Sequence, residues 1–247
     1  MDNEDPPFWH NPERIVYRAR VRENIYRSLS TNSLRDAGSI EEPDNVDLMS
    51  ATIGSYASLD DDDSIGWSED ELDEVPEYVH YEIEDGTLIV SPRPSLRHQR
   101  TGANLARMLE YSCPSDLVAV QDAEIREYED GKIAQCRSPD VMLVPRELLA
   151  EADDQNDETK WVQPSQVLMA IEVVSPRSRV ADRITKVGQY ALWRIPYYLR
   201  VEMRPTRALY EYVLDETTGK YQTPIEHTDV VEMDDPFRIR FDLSRLV

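Results

Sequence analysis

The run Val167, Leu168, Met169, Ala170, Ile171 constrains the fold of this chain more than any other stretch. It is apolar at successive positions, whereas a strand with one wet face alternates apolar and polar residues. A short non-alternating run is the pattern of a strand covered on both faces, so it predicts a central strand with structure layered above and below it. Shorter runs nearby, Val141 to Val144, Tyr197 to Val201 and Arg207 to Leu214, read as further strands. Ser178 to Trp193 reads as a helix between two of them. The expected fold class is α/β (α+β), a mixed central β-sheet flanked by helices.

Upstream of this region the texture is of hairpins. Val79 to Glu84 and Thr87 to Ser91 flank Asp85 and Gly86, a pair suited to a type I′ turn, which needs positive φ at both central positions. Ser95 to Glu110 has helical periodicity, with Leu96, Leu105, Met108 and Leu109 expected on roughly one side. Leu117 to Tyr128 and Lys132 to Arg137 bracket a second turn at Glu129 to Gly131.

The first third reads differently. Residues 1–79 hold 20 Asp and Glu against 6 Arg, so most of the net charge of -22 is concentrated there. Asn11 and Pro12 suit an N-cap and first helical position, and Glu13 to Ser28 could wind into one Arg-rich helix. Beyond it, four consecutive carboxylates, Asp60 to Asp63, repel one another and favour a solvated chain. The expected organisation is an acidic, mostly disordered N-terminal extension over residues 1–75 and a folded domain over 76–247, with the boundary near Glu74.

A uniformly acidic surface would repel a polyanion, but the acidity is uneven. Residues 91–109 carry four Arg and no acid, and residues 177–207 carry seven Arg and one Lys against Asp182 and Glu202. An anionic substrate is therefore possible locally. No run of about 18 apolar residues predicts a membrane span, and no basic stretch followed by an apolar one predicts a secretory signal, so the expected location is the cytoplasm. Cys113 and Cys136 lack companions at zinc spacing, and no Gly-rich phosphate loop or Gly-x-Ser-x-Gly elbow occurs.

Chemistry is suggested where carboxylates interrupt apolar strands. Pro139 and Asp140 lead directly into Val141 to Val144, and Glu172 falls inside Ile171, Glu172, Val173, Val174. An unpaired ionised carboxylate buried there costs several kcal/mol, so something cationic should compensate it. The sequence leaves three candidates open: a divalent metal shared with Asp140, a buried ion pair with an arginine, or escape to solvent at a strand end. Lys186 follows on the expected helix, with Asp182 and Tyr190 four residues to either side and so on the same face. Lysine is scarce, four residues against 23 Arg, which makes a motif lysine stand out. The plain alternative is an Asp182 to Lys186 helix pair worth about 0.2 to 0.5 kcal/mol.

Taken in order, Tyr81, Glu82, Asp85, Gly86, Ser91, Pro92, His98, then Pro139, Asp140, Val141, then Ile171 to Pro176, then Asp182, Lys186 and Tyr190 resemble the Uma2 family (DUF820), a branch of the PD-(D/E)XK restriction-endonuclease-like superfamily. The resemblance covers about residues 76–202. It implies a restriction-endonuclease-like fold and a metal-dependent endonuclease that hydrolyses phosphodiester bonds of nucleic acid, DNA in the first instance, with Mg2+ (or Mn2+). It further implies Asp140 and Glu172 as metal ligands, the carbonyl of Val173 as a third, Lys186 as the catalytic lysine and Glu82 as an upstream acid. His98 matches the family's histidine after the hairpin.

The superfamily's usual motif has its lysine where this chain has Val174, and the family supplies that group from the following helix. Arg93, Arg97, Arg100, Arg177, Arg179 and Arg183 could contact flanking phosphates, which position a duplex without reading its sequence. Because cutting two strands often uses two sites, a homodimer is conceivable. The alternative to an enzyme is a catalytically inactive nuclease fold kept as a binding or assembly module.

Overall fold

The computed structural model describes residues 66–75, 79–91, 93–149, 160–175 and 184–246. The expected helix Glu13 to Ser28, the block Asp60 to Asp63 and the first part of the helix expected from Ser178 lie outside these residues. In chain order the elements are α1 (Glu69–Asp73), β1 (His80–Glu84), β2 (Thr87–Ser91), α2 (Leu96–Ser112), β3 (Leu117–Val120) and β4 (Glu124–Glu129). There follow β5 (Lys132–Arg137), β6 (Val141–Pro145), β7 (Trp161–Val162), β8 (Met169–Val174), α3 (Lys186–Leu192) and β9 (Tyr197–Glu202). The last are β10 (Ala208–Asp215), β11 (Lys220–Tyr221), β12 (Ile225–His227), β13 (Val230–Met233) and β14 (Ile239–Asp242). No helix among the described residues is long and apolar enough to cross a membrane.

The chain divides into two units, Met1–Pro92 with Tyr128–Gln135, and Arg93–Glu127 with Cys136–Val247. In the first unit β1 and β2 pair antiparallel from His80 with Ser91 to Glu84 with Thr87. Asp85 at φ 47° and Gly86 at φ 72° turn the hairpin, as the Asp-Gly pair predicts. The second expected turn has the same construction, Asp130 at φ 51° and Gly131 at φ 79°. Ahead of the hairpin, Trp67 exchanges two backbone hydrogen bonds with Ile133, and its indole Nε1 donates to the Gly86 carbonyl at 3.0 Å. Gly66 makes this approach possible: at φ +138° a Cβ would lie 2.9 Å from the Ile133 oxygen. Ser68 and Glu71 close a capping box on α1, which buries Leu72.

The second unit holds a seven-stranded sheet in the order β11-β10-β9-β8-β6-β3, with β12 also on β10. The apolar run forms β8 at its centre. β8 pairs parallel with β9 and antiparallel with β6. Both faces are covered, which explains why the run does not alternate. One face packs Val141, Leu143, Ile171, Val173 and Leu199 against Leu105 and Leu109 of α2 and against the β13–β14 hairpin. The other packs Met142, Ala170, Tyr198 and Tyr212 against Tyr190 and Trp193 of α3 and its end.

Two details differ from expectation. Leu96 is 86% exposed, although Leu105 and Leu109 are buried. Nine residues separate Leu96 from Leu105, which at about 100° each places them on opposite sides of the helix. The single strand expected over Leu117 to Tyr128 is two strands. Asp122 adopts φ 53° and breaks it, so that β3 pairs with β6 while β4 pairs with β7 in another sheet.

Candidate active site

The site grows from the geometry of β8. Successive side chains of a strand point to opposite faces. With Ile171 and Val173 on the α2 face, Glu172 must point to the α3 face, into the layer that holds Tyr190 and Tyr198. It is only 3% exposed. The cation that burial of a carboxylate demands comes from the first turn of α3: Lys186 Nζ lies 2.9 Å from Glu172 Oε1. Tyr190, one turn further on the same helix face, donates its hydroxyl to the same oxygen at 2.7 Å. Both donors are themselves buried. A carboxylate so held is charge-compensated and fixed in orientation, and loss of either donor would leave a costly buried group.

Asp140 reaches the same strand from β6. Val141 is the register partner of Ile171, so continuing one residue brings Asp140 opposite Glu172, and one more brings Pro139 opposite Val173. Residues directly opposite in an antiparallel pair share a face. Pro139 has no N–H, so the ladder cannot continue, and the Val173 N–H is instead bonded by the Asp140 carboxylate, Oδ2 at 2.6 Å. His98 Nε2 lies 3.4 Å from the same oxygen, a contact that becomes an ion pair when the imidazole is protonated. His98 is carried there by the first turn of α2, where its own backbone N–H donates to the cap Ser95 Oγ at 3.3 Å.

These groups suit a hard divalent cation. A residue's N–H and C=O project from the same edge of a strand, so the Val173 carbonyl looks toward the edge where Asp140 sits, facing a proline that offers it no donor. Among the described residues no group of three or more His, Cys, Asp or Glu could hold an ion. That is not what magnesium requires: it is held by one or two carboxylates and keeps waters or takes substrate phosphates for the rest. Two carboxylates and a main-chain oxygen fit that demand.

The family model described as Uma2, "Putative restriction endonuclease", matches residues 69–244. The chain belongs to the Uma2 family. Among solved structures, a "putative nuclease belonging to DUF820" from Anabaena variabilis ATCC 29413 matches at a TM-score of 0.56 and 12% identity, over 72% of this chain and 95% of that one. The likeness extends the fold assignment to the restriction-endonuclease type of mixed sheet. A search of curated proteins found no match. Membership places the chain in a nuclease family, whose members act on nucleic acid.

Against this Uma2 assignment the remaining expected residues can be placed. Glu82 belongs to the first unit, half-buried in β1 and paired with Ile89. Arg93, Arg97 and Arg100 are exposed at and just before the start of α2, the helix that carries His98. Arg177, Arg179, Arg183 and Asp182 lie outside the described residues. Val174, where the superfamily has its lysine, is half-buried and pairs with Glu202, while Lys186 brings its ammonium to Glu172 from the helix. Two residues were not singled out from sequence as site residues. Tyr190 was visible as the i+4 neighbour of Lys186, but only the structure reveals its hydroxyl bond to Glu172. Arg200 breaks the apolar β9 as Glu172 breaks β8, and the same rule finds it.

Proposed function

We propose that this chain is a metal-dependent endonuclease that hydrolyses phosphodiester bonds of DNA, with Asp140, Glu172 and the Val173 carbonyl as the residues that would hold Mg2+ or Mn2+. The observation that carries the reading is the meeting of Asp140 with the β8 backbone at Val173, one residue from the buried Glu172 and its Lys186 partner. A divalent ion, when bound, polarises a phosphoryl oxygen and lowers the pKa of a coordinated water.

The chain's own residues do the rest. Asp140 and Glu172 fix the negative charge at one strand edge. The Lys186 ammonium orients an attacking water or offsets charge developing on the phosphate, as positioned cations do in phosphoryl transfer. Tyr190 holds the Glu172 carboxylate in one rotamer. His98, beside Asp140, can exchange a proton near the leaving oxygen. Arg93, Arg97 and Arg100 supply cations for flanking phosphates. The test is Glu172→Gln in a plasmid-nicking assay with Mg2+ or Mn2+, with circular dichroism to verify folding. A folded variant that cleaves at the wild-type rate would remove the assignment.

One observation favours a second reading, a nuclease fold that binds without cutting. Val174 stands in place of the motif lysine, and the Lys186 ammonium already neutralises Glu172. Calorimetric titration with Mn2+ separates the two, because the enzyme binds the ion in the absence of DNA and a purely structural Glu172–Lys186 pair does not.

A further inference from the structure

We infer that Arg200 is a substrate-phosphate contact of the proposed nuclease site, an assignment that rests on the nuclease reading above and extends it by one residue. The sheet brings Arg200 beside the carboxylates. It is the register partner of Glu172 across the parallel β8–β9 pair and of Tyr210 across the antiparallel β9–β10 pair, and Tyr210 pairs in turn with Glu226 of β12. Glu172, Arg200, Tyr210 and Glu226 therefore form one row across four strands, and Asp140, the residue just before β6, stands at the end of that row beside Glu172. Adjacent strands are about 4.8 Å apart, so the Arg200 backbone sits one strand spacing from that of Glu172. The guanidinium lies on the α3 face with it, 4.4 Å over the Tyr210 ring and 5.6 Å from that of Tyr212.

What marks Arg200 out is how little the protein asks of it. The residue is only 8% exposed. Its charged contact is Glu202, 3.3 Å from Nε, and that nitrogen is buried without a hydrogen bond. Neither Nη group donates a hydrogen bond to a described residue. A guanidinium carries five N–H donors in a planar fork shaped for the oxygens of a phosphate or carboxylate. A purely structural buried arginine spends those donors on carbonyls and carboxylates. Here the ring of Tyr210 fixes the plane from one side, and the fork is left to an oxyanion brought from outside. Beside a pair of carboxylates suited to a cation, the oxyanion that fits is a phosphodiester of the nucleic-acid substrate.

The experiment uses the full chain and a short fluorescent DNA duplex, with Ca2+ replacing Mg2+ so that binding is read without cleavage. Association constants for wild type, Arg200→Gln, Arg200→Lys and the surface control Arg238→Gln are measured across a salt series. Loss of one phosphate contact lowers the slope of log K against log salt by about 0.9, and binding should weaken roughly tenfold in Arg200→Gln. Arg200→Lys should keep the slope and lose part of the affinity, since a point charge lacks the fork. Arg238→Gln should match wild type.

Equal affinity and slope in wild type and Arg200→Gln would overturn the Arg200 assignment alone. Failure of wild type to bind the duplex would bring down the nuclease reading and this inference with it. If Arg200→Gln does not fold, Arg200→Lys decides: unchanged affinity would reject the contact.

Discussion

The two faces of the central sheet are built from the same strands and do opposite work. On the α2 face, β6, β8 and β9 present Val141, Leu143, Ile171, Val173, Leu199 and Val201, all buried and all apolar. On the α3 face the strand ends present Glu172, Arg200 and Glu202, each less than a tenth exposed. Burying the first set is favourable at roughly 25 cal/mol per Å². Burying the second is costly unless each charge finds a partner. The strand alternation that makes an ordinary sheet amphipathic is here turned wholly inward, so one face stabilises the fold and the other, at its edge, holds charge under strain of desolvation.

Neighbouring substitutions sharpen that contrast. The largest effect is expected from Glu172→Gln, which should cut metal-dependent cleavage of the folded fraction by about 10²–10³-fold and, because it leaves the buried Lys186 ammonium without its carboxylate, destabilise by about 3–5 kcal/mol, read by plasmid nicking and thermal denaturation. Next comes Lys186→Met, which leaves Glu172 uncompensated and should destabilise by about 3–5 kcal/mol. Mn2+ should restore more stability to this variant than to wild type, and a thermal shift of equal size in both would argue against a cation beside Glu172. Ile171→Ala, one residue away but on the other face, should cost about 2–5 kcal/mol in urea denaturation and leave the turnover of the folded fraction unchanged. Tyr190→Phe removes a single hydrogen bond to a charged group and should cost about 1.5–3 kcal/mol with a smaller loss of activity than Glu172→Gln.

The smallest effect lies outside both faces. The Ala119 N–H, and then Arg146, hold the Glu110 carboxyl below the ordinary carboxylate range. The stability this contributes is present above that range and is lost as pH falls through it. Because the pair is largely exposed, it amounts to less than about 1 kcal/mol. Glu110→Gln should lower stability at neutral pH by no more than that, flatten the acid limb of the stability curve by the same amount, and match wild type at the acid end, where the carboxyl is protonated.

Much of this was legible in the residues alone, and the misses have physical causes. The turns at Asp85–Gly86 and Asp130–Gly131 are local chemistry, so the sequence carries them. The central position of β8 follows from its unbroken apolar run. Asp122 adopts positive φ between the unbroken apolar run Leu117–Val120 and the mostly charged Glu124–Glu129, and that change of texture across Gln121 and Asp122 is the local mark of the break between β3 and β4. The Ser68–Glu71 capping box was present in the sequence but sits among carboxylates that read as solvated chain. Lys186 and Tyr190 share a helix face by spacing, which a single chain can express. The alignment of Glu172 with Arg200 cannot be expressed that way, because strand register depends on how two distant segments meet.

Pro139 has a consequence of its own. A zipper stops where a tooth is missing, and the missing tooth here is a nitrogen that carries no hydrogen. The gap between β6 and β8 is thus written into the covalent formula of one ring and survives whatever the surrounding side chains become. Were an alanine to stand there, the two ribbons could close by a further rung, and the oxygen of residue 173 would be claimed by its neighbour before any visitor arrived.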